Sequence, residues 1–164
     1  LIQRLLDHLK VLVGQVEELE AQVQAWHRAS DLSTRLAQVP GIGPITASAL
    51  VASIGDAKNF DGGRQLAAWL GLVPRQSGTG GRVKLLGISK RGDTYLRTLL
   101  IHGARSVLTH AKQPGPWLEQ IKTRRPTNVV IVAQAAKMAR AIWAVTANHQ
   151  DYQRGYQSFR QLAA

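Results

Sequence analysis

The densest collection of chemically useful side chains lies in the string Gly71-Leu-Val-Pro-Arg-Gln-Ser-Gly-Thr-Gly-Gly-Arg-Val-Lys-Leu-Leu-Gly-Ile-Ser-Lys-Arg-Gly-Asp93. Five cations, Arg75, Arg82, Lys84, Lys90 and Arg91, surround three hydroxyls, Ser77, Thr79 and Ser89. Glycines at 71, 78, 80, 81, 87 and 92 allow positive φ and close approach of the main chain to a ligand. Successive N–H groups in such a stretch form an anion nest. The combination suits a phosphodiester: a hydroxyl can attack phosphorus while guanidinium groups stabilise charge on the non-bridging oxygens. On residue types alone a second reading stands beside this one and is the simpler, a phosphate-binding loop without catalysis. No Gly-Lys-Ser/Thr follows the loop, which argues against a nucleotide site of the P-loop type.

A second candidate is Leu36-Ala-Gln-Val-Pro-Gly-Ile-Gly-Pro-Ile-Thr-Ala-Ser-Ala-Leu50. A helix ends near Gln38, Pro40 to Gly43 form a tight hairpin, and Pro44 suits the first turn of the next helix. The segment resembles the helix-hairpin-helix motif, in which glycines such as Gly41 and Gly43 let N–H groups donate to a DNA phosphate. The plain alternative is a glycine turn between two packed helices.

Other ionisable residues carry less. His8, His27, His102, His110 and His149 lack metal-ligand spacing, and Asp56, Asp61 and Asp93 are too scattered for a two-metal centre. No metal ligand is assigned within the chain. Asp61 reads as a turn residue and Asp93 as an N-cap. Arg97 is either an additional phosphate contact or a solvated helix residue. Trp69 and Trp143 are expected in the core, and Trp117 against a helix. With no Cys, disulfides and thiolate zinc sites are excluded.

These residues need elements to position them. The 164 residues are 45% hydrophobic and 19% charged, a folded composition. The net charge of +11 argues for a polyanionic partner. The excess is local. Residues 1–31 hold five acidic and three basic residues, whereas 75–125 hold eleven Lys or Arg against Asp93 and Glu119 alone. Ile2, Leu5, Leu6, Leu9, Leu12, Val13, Val16, Leu19, Val23 and Trp26 recur at steps of three and four, predicting one helix over 1–36. Its apolar stripe is longer than a small domain can cover, so self-association is expected, as a dimer or tetramer. The alternative is a helix folded back on its own domain. Further helices are expected over 64–70, 94–111, 117–124 and from Pro126 onward. No strand, internal repeat or membrane span is expected.

The fold class expected is therefore all-α. It comprises a coiled-coil-like helix (1–36), a compact helical domain (37–147) and a loosely attached polar tail (148–164). The domain contains the helix-hairpin-helix (about 36–55) and the Gly/Arg-rich serine loop (71–93).

Four strings carry a family resemblance: Val39-Pro-Gly-Ile-Gly-Pro-Ile-Thr-Ala47, Gly63-Arg-Gln-Leu-Ala-Ala-Trp-Leu-Gly-Leu-Val-Pro-Arg-Gln76, Leu86-Gly-Ile-Ser-Lys-Arg-Gly-Asp93, and Tyr95-Leu-Arg-Thr-Leu-Leu-Ile-His-Gly-Ala-Arg105. From about Leu36 to Thr146 the chain resembles the C-terminal transposase domain of the DEDD insertion-sequence transposases, also called bridge-RNA-guided recombinases. The resemblance implies a DNA-binding domain whose serine attacks DNA and forms a phosphoserine link during strand cleavage and rejoining. It implies an N-terminal RuvC-like domain, absent here, holding a divalent metal such as Mg. The chain is thus expected to be a fragment, inactive alone and without a cofactor of its own. The partners implied are DNA and a guide (bridge) RNA, in the cytoplasm of a bacterium at its nucleoid. In many members the serine stands in Pro-Arg-Gln-x-Ser, where this chain has Gly78. The resemblance therefore implies Ser77 as nucleophile, with Thr79 as alternative, and leaves open a copy without activity. Arg75, Arg82, Lys84, Lys90 and Arg91, with Gly41 and Gly43, are the expected phosphate contacts. The alternative function is a non-catalytic helix-hairpin-helix nucleic-acid-binding module.

Overall fold

Ser30 divides in two what the apolar spacing predicts as a single helix. Its backbone is extended and its hydroxyl accepts from the Ser33 N–H at 3.3 Å, capping the second helix. In the computed structural model, which describes residues 1–79 and 82–154 without the side chains of Thr79 and Val83, α1 therefore spans Ile2–Ala29 and α2 Asp31–Leu36. Serine offers the backbone a local partner that competes with helix continuation. Across the break, buried His27 places Nδ1 2.7 Å from Ser33 Oγ, so the two helices are joined by a side-chain bond where the main-chain ladder stops.

Helix α3 spans Pro44–Ile54 with proline in its first turn, and a 3-10 turn follows at Ala57–Asn59, capped by Asp56 through the Lys58 N–H at 2.9 Å. Helix α4 spans Gly63–Trp69, α5 Thr94–His110, α6 Pro116–Arg124 and α7 Thr127–Asn148. Asp93 caps α5 by accepting from the Leu96 N–H at 2.9 Å, as its position predicts. Asp61 likewise serves a turn, bonded to the Gln65 side chain.

The described residues are mostly helical, in keeping with the expected class. The expectation of no strand is corrected: Pro74–Thr79 (β1) and Arg82–Ile88 (β2) form an antiparallel pair within the serine loop.

Helix α7 is the centre of the body. Ile131, Ala135, Met138, Ala139, Ile142 and Val145 face inward against Leu36, Leu66, Leu96 and Leu100 in one core. By length and composition α7 could cross a membrane, which its interrupted apolar runs do not suggest. Here it is the core helix, with exposed Lys137 and Arg140 on its outer side. Trp143 is half-buried, and its indole N–H is shared between the carbonyls of Ala57 and Phe60, each at 3.1 Å. Trp69, expected in the core, lies at its margin with its ring edge-on to Phe60 at 5.6 Å. Trp117 packs beneath the Lys137 ammonium, 4.5 Å from the ring centroid.

The expectation of a loose tail from residue 148 also needs correction. Arg35 donates to the His149 carbonyl at 2.6 Å and approaches Asp151 at 3.9 Å. The Tyr152 N–H donates to Gln38 Oε1 at 3.2 Å. Residues 149–152 are thus a strap across the body; 155–164, with Tyr156 and Phe159, lie outside the described residues.

Helix α1 is exposed through residue 22. Its apolar residues at 2, 5, 9, 12, 16, 19, 23 and 26 follow an unbroken heptad, with Ile2, Leu9, Val16 and Val23 at one core position and Leu5, Leu12, Leu19 and Trp26 at the other.

Candidate nucleic-acid interface

The strand pair is an arm. Residues 74–78 and 84–87 are exposed, including Leu85 and Leu86, and no further strand extends the sheet among the described residues. A two-stranded ribbon is marginal alone in water, so its base must be held by the body.

The base is held by four main-chain and side-chain bonds. The Ser89 N–H donates to the Val73 carbonyl at 2.9 Å and the Lys90 N–H to the Gly71 carbonyl at 3.1 Å. The Arg97 guanidinium donates to the Leu70 carbonyl at 3.2 Å and the Arg91 carbonyl at 3.1 Å. Gly71 (φ 72°) and Gly92 (φ 84°) let the two chain segments touch: a side chain at 71 would collide with the Arg91 main chain, and one at 92 with the Trp69 carbonyl. Arg97 is therefore neither a phosphate contact nor solvated. It is 8% exposed and joins the end of α4 to the segment entering α5. Nothing in its spacing announces this role, because its acceptors are carbonyls brought near only by the fold.

The register fixes which side chains share a face. Ser77 pairs with Lys84 and Thr79 with Arg82, and side chains alternate along a strand, so Ser77, Lys84 and Arg82 stand on one face. Directly opposed residues have Cβ atoms about 4.5–5.5 Å apart. Arg75 falls in the irregularity between the Pro74 and Gln76 pairs and is exposed. The Thr79 side chain lies outside the described residues. Lys90, with φ 55°, and Arg91 stand exposed at the base of the arm. The five expected cations are thus on or beside one ribbon that contains no Asp, Glu or His. The Ser89 hydroxyl accepts from the Arg91 N–H at 3.4 Å.

The two glycines expected at a phosphate lie differently. Gly41 (φ 88°) faces Gly103 of α5, where an added Cβ would stand 2.6 Å from the Gly103 carbonyl oxygen. Glycine at 41 is thus required for helix packing. Gly43 is exposed with open space around its Cα, at the N-cap of α3. The neighbouring Ile45 shares a cleft with Glu17 and Glu20 of α1, which place negative charge near that helix end. This arrangement disfavours an anion there.

Among the described residues, no three His, Asp or Glu side chains gather as metal ligands. The residues present do not fit a divalent metal, and no step through one is assigned to them. Arg64, Lys137 and Arg140, which the linear sequence does not single out, come together only in three dimensions.

A mostly helical body carrying a strongly basic two-stranded arm with an exposed serine is the class of protein that fold and surface define. Residues 33–119 match the family model described as transposase IS116/IS110/IS902 family. The chain is 52% identical over 161 residues to a probable family 20 transposase of Pseudomonas aeruginosa, covering 94% of this chain and 47% of that protein. It is 42% identical over 144 residues to the transposase for insertion sequence element IS1111A of Coxiella burnetii, covering 85% of this chain and 40% of that protein. It is 43% identical over 150 residues to the transposase for IS1328 of Yersinia enterocolitica, covering 89% and 45% respectively. The chain belongs to the IS116/IS110/IS902 family of transposases, and spans somewhat under half the length of these relatives.

Proposed function

We propose that this chain is the DNA-contacting, serine-bearing part of a transposase, in which the basic arm lies along a DNA backbone and presents Ser77 to a phosphodiester. The observation that carries this reading is the cross-strand pairing of Ser77 with Lys84 on the face that also holds Arg82. In the proposed step Ser77 Oγ bonds to phosphorus and a deoxyribose oxygen leaves with a proton. Attack by another strand's hydroxyl reverses the link and rejoins DNA. Arg82 and Lys84, with Arg75, Lys90 and Arg91, offset charge on the non-bridging oxygens. The arm has no Asp, Glu or His, and Lys84 is assigned to the phosphate charge, so the group that takes the serine proton is assigned outside the arm. The metal implied by the family resemblance is assigned to the part of the longer transposase that this chain does not match. A guide RNA and a second copy of the chain are the proposed partners. The second copy is supported by the α1 heptad, whose mostly β-branched and Leu alternation favours two strands.

A non-catalytic binding module is the second reading, favoured by the absence of Asp, Glu and His from the arm. Trapping separates them. The longer transposase is mixed with its cognate DNA and RNA, denatured and examined for a covalent protein–DNA adduct. An adduct lost in Ser77→Ala supports the proposal. One that survives it and disappears in Thr79→Ala moves the role to Thr79, and no adduct at all favours the binding module. The arm's contacts are read separately from duplex affinity against salt. Arg82→Gln with Lys84→Gln should reduce the slope of log K against log salt by about 1.8, at about 0.9 per phosphate contact.

A further inference from the structure

Where α4 meets the outer side of α7, Arg64, Lys137 and Arg140 come near one another and none of them forms an ion pair. A methyl group at Gly63 would stand 2.8 Å from the Arg140 Cα, so the start of α4 lies directly against α7. That approach sets Arg64 beside Arg140. Lys137, one turn earlier on α7, lies on the same side and rests on the Trp117 ring. All ten Asp and Glu residues of the chain are among the described residues. The ion pairs formed are Arg35 with Asp31 and Asp151, and Lys122 with Glu119; none involves Arg64, Lys137 or Arg140. Burial, and after it Arg64, holds the Arg140 guanidinium below its ordinary range; burial, and after it Arg140, does the same for Lys137. Partly desolvated like charges oppose folding unless an external anion joins them.

Arg64 and Arg140, but not Lys137, border a groove of about 360 Å³ between the start of α4, the outer side of α7 and residues 150–153. Trp143 and Tyr152 give it an aromatic wall, and Asn148 and Gln150 give it amides. Asp151 also lines it and is turned to Arg35 at 3.9 Å. The volume falls in the range of small-ligand sites, about 300–1,000 Å³. A duplex offers its phosphates on a convex, stacked surface that cannot enter such a groove. An unpaired nucleotide can be splayed out, stacked on an aromatic ring and read along its base edge by amides, with its phosphate on arginine.

We propose that this groove is a second nucleic-acid site, separate from the arm, which takes one unpaired nucleotide of a DNA or RNA strand. Arg64 and Arg140 hold its phosphate, and Asn148 and Gln150 meet its base edge. The inference rests on the nucleic-acid reading above for the identity of its ligand, and the arm variants keep the two separable.

The test measures binding of 20-nucleotide single-stranded DNA, the matching RNA and a 20-base-pair duplex to the full chain as a function of salt. Arg64→Gln with Arg140→Gln should weaken single-strand binding roughly ten-fold and flatten its salt slope by about 0.7, for the one phosphate the two arginines share. Duplex affinity should change less than two-fold. Asn148→Ala with Gln150→Ala should weaken single-strand binding at unchanged slope. The relative loss for DNA and for RNA identifies the strand. Thermal melting of the arginine double variant should be no lower than that of the parent, since like charges have been removed. Unchanged single-strand affinity and slope, or an equal loss for duplex, overturns the site. If the arm variants instead leave duplex binding intact while the groove variants behave as expected, the arm reading fails and the groove stands.

Discussion

Lys137 is held in a place that suits its alkyl stem and opposes its charge. The Trp117 face attracts the ammonium, while burial and the neighbouring Arg140 disfavour it and lower its pKa below the ordinary 10.5. The sign of the linkage follows. Folding a base whose pKa falls releases protons at alkaline pH, so the unfolded chain binds more protons between the lowered value and 10.5. Stability contributed by this group therefore rises with pH through that window and is least where both states are fully charged. Lys137→Gln should remove the rise. Melting temperatures of parent and variant, compared from about pH 8 to about pH 10.5, should converge toward the alkaline end, the parent gaining on the variant. A parent that loses ground over that range contradicts the assignment. Such a position is invisible in linear sequence, where Lys137 is one polar residue on an amphipathic helix. Gly41 gives the opposite lesson. Its string lies between two helices, α2 and α3, as its prolines and glycines suggest, yet the residue that demands glycine is Gly103, sixty-two positions away.

At the scale of elements, the helices were readable because their signals are local: Asp93 at an N-cap, Pro44 in a first turn, and apolar steps of three and four. The break at Ser30 was missed because the apolar steps run on through it, while the capping bond and the His27–Ser33 pair that make it are satisfied only in the fold. The arm was missed for a different reason. Its second strand alternates Val83, Lys84 and Leu85, but its first, through Gln76-Ser-Gly-Thr79, has no apolar alternation. Tertiary support at its base supplies what propensity lacks. Arg97→Met should therefore act on the arm beyond its own surroundings. Two buried or half-buried carbonyls, Leu70 and Arg91, lose a charged donor, at a cost of about 1.5–3 kcal/mol. In denaturant titrations the midpoint should fall accordingly. Hydrogen exchange at the Ser89 and Lys90 amides should accelerate more than exchange within α7, and Arg97→Lys should restore part of the protection. Uniform acceleration across the chain would assign Arg97 to global stability alone.

The whole molecule separates its charges. The exposed part of α1 is acidic on balance and apolar along one heptad stripe, with Leu5 62%, Leu9 56% and Leu19 59% exposed. The arm carries Arg75, Arg82 and Lys84 with no acidic residue, and α7 carries Lys137 and Arg140 on its outer side. Pairing two α1 helices would bury that stripe and place two arms on one particle. The consequence is multivalency: once one arm is seated on a long duplex, the second meets DNA at high local concentration, and linked binding exceeds single binding by about 10²–10⁴. Leu9→Glu with Leu12→Glu puts charge at adjacent core positions of the heptad and should leave the helical body intact, because neither residue touches the core. Sedimentation should then show the mass of the parent falling to that of a single chain. On a duplex long enough for two arms, affinity should drop by at least ten-fold, while on a duplex of about ten base pairs, one helical turn, parent and variant should bind alike. Equal loss on both lengths would mean that α1 touches DNA itself, and a parent that sediments as a single chain would leave the stripe without the partner assigned to it.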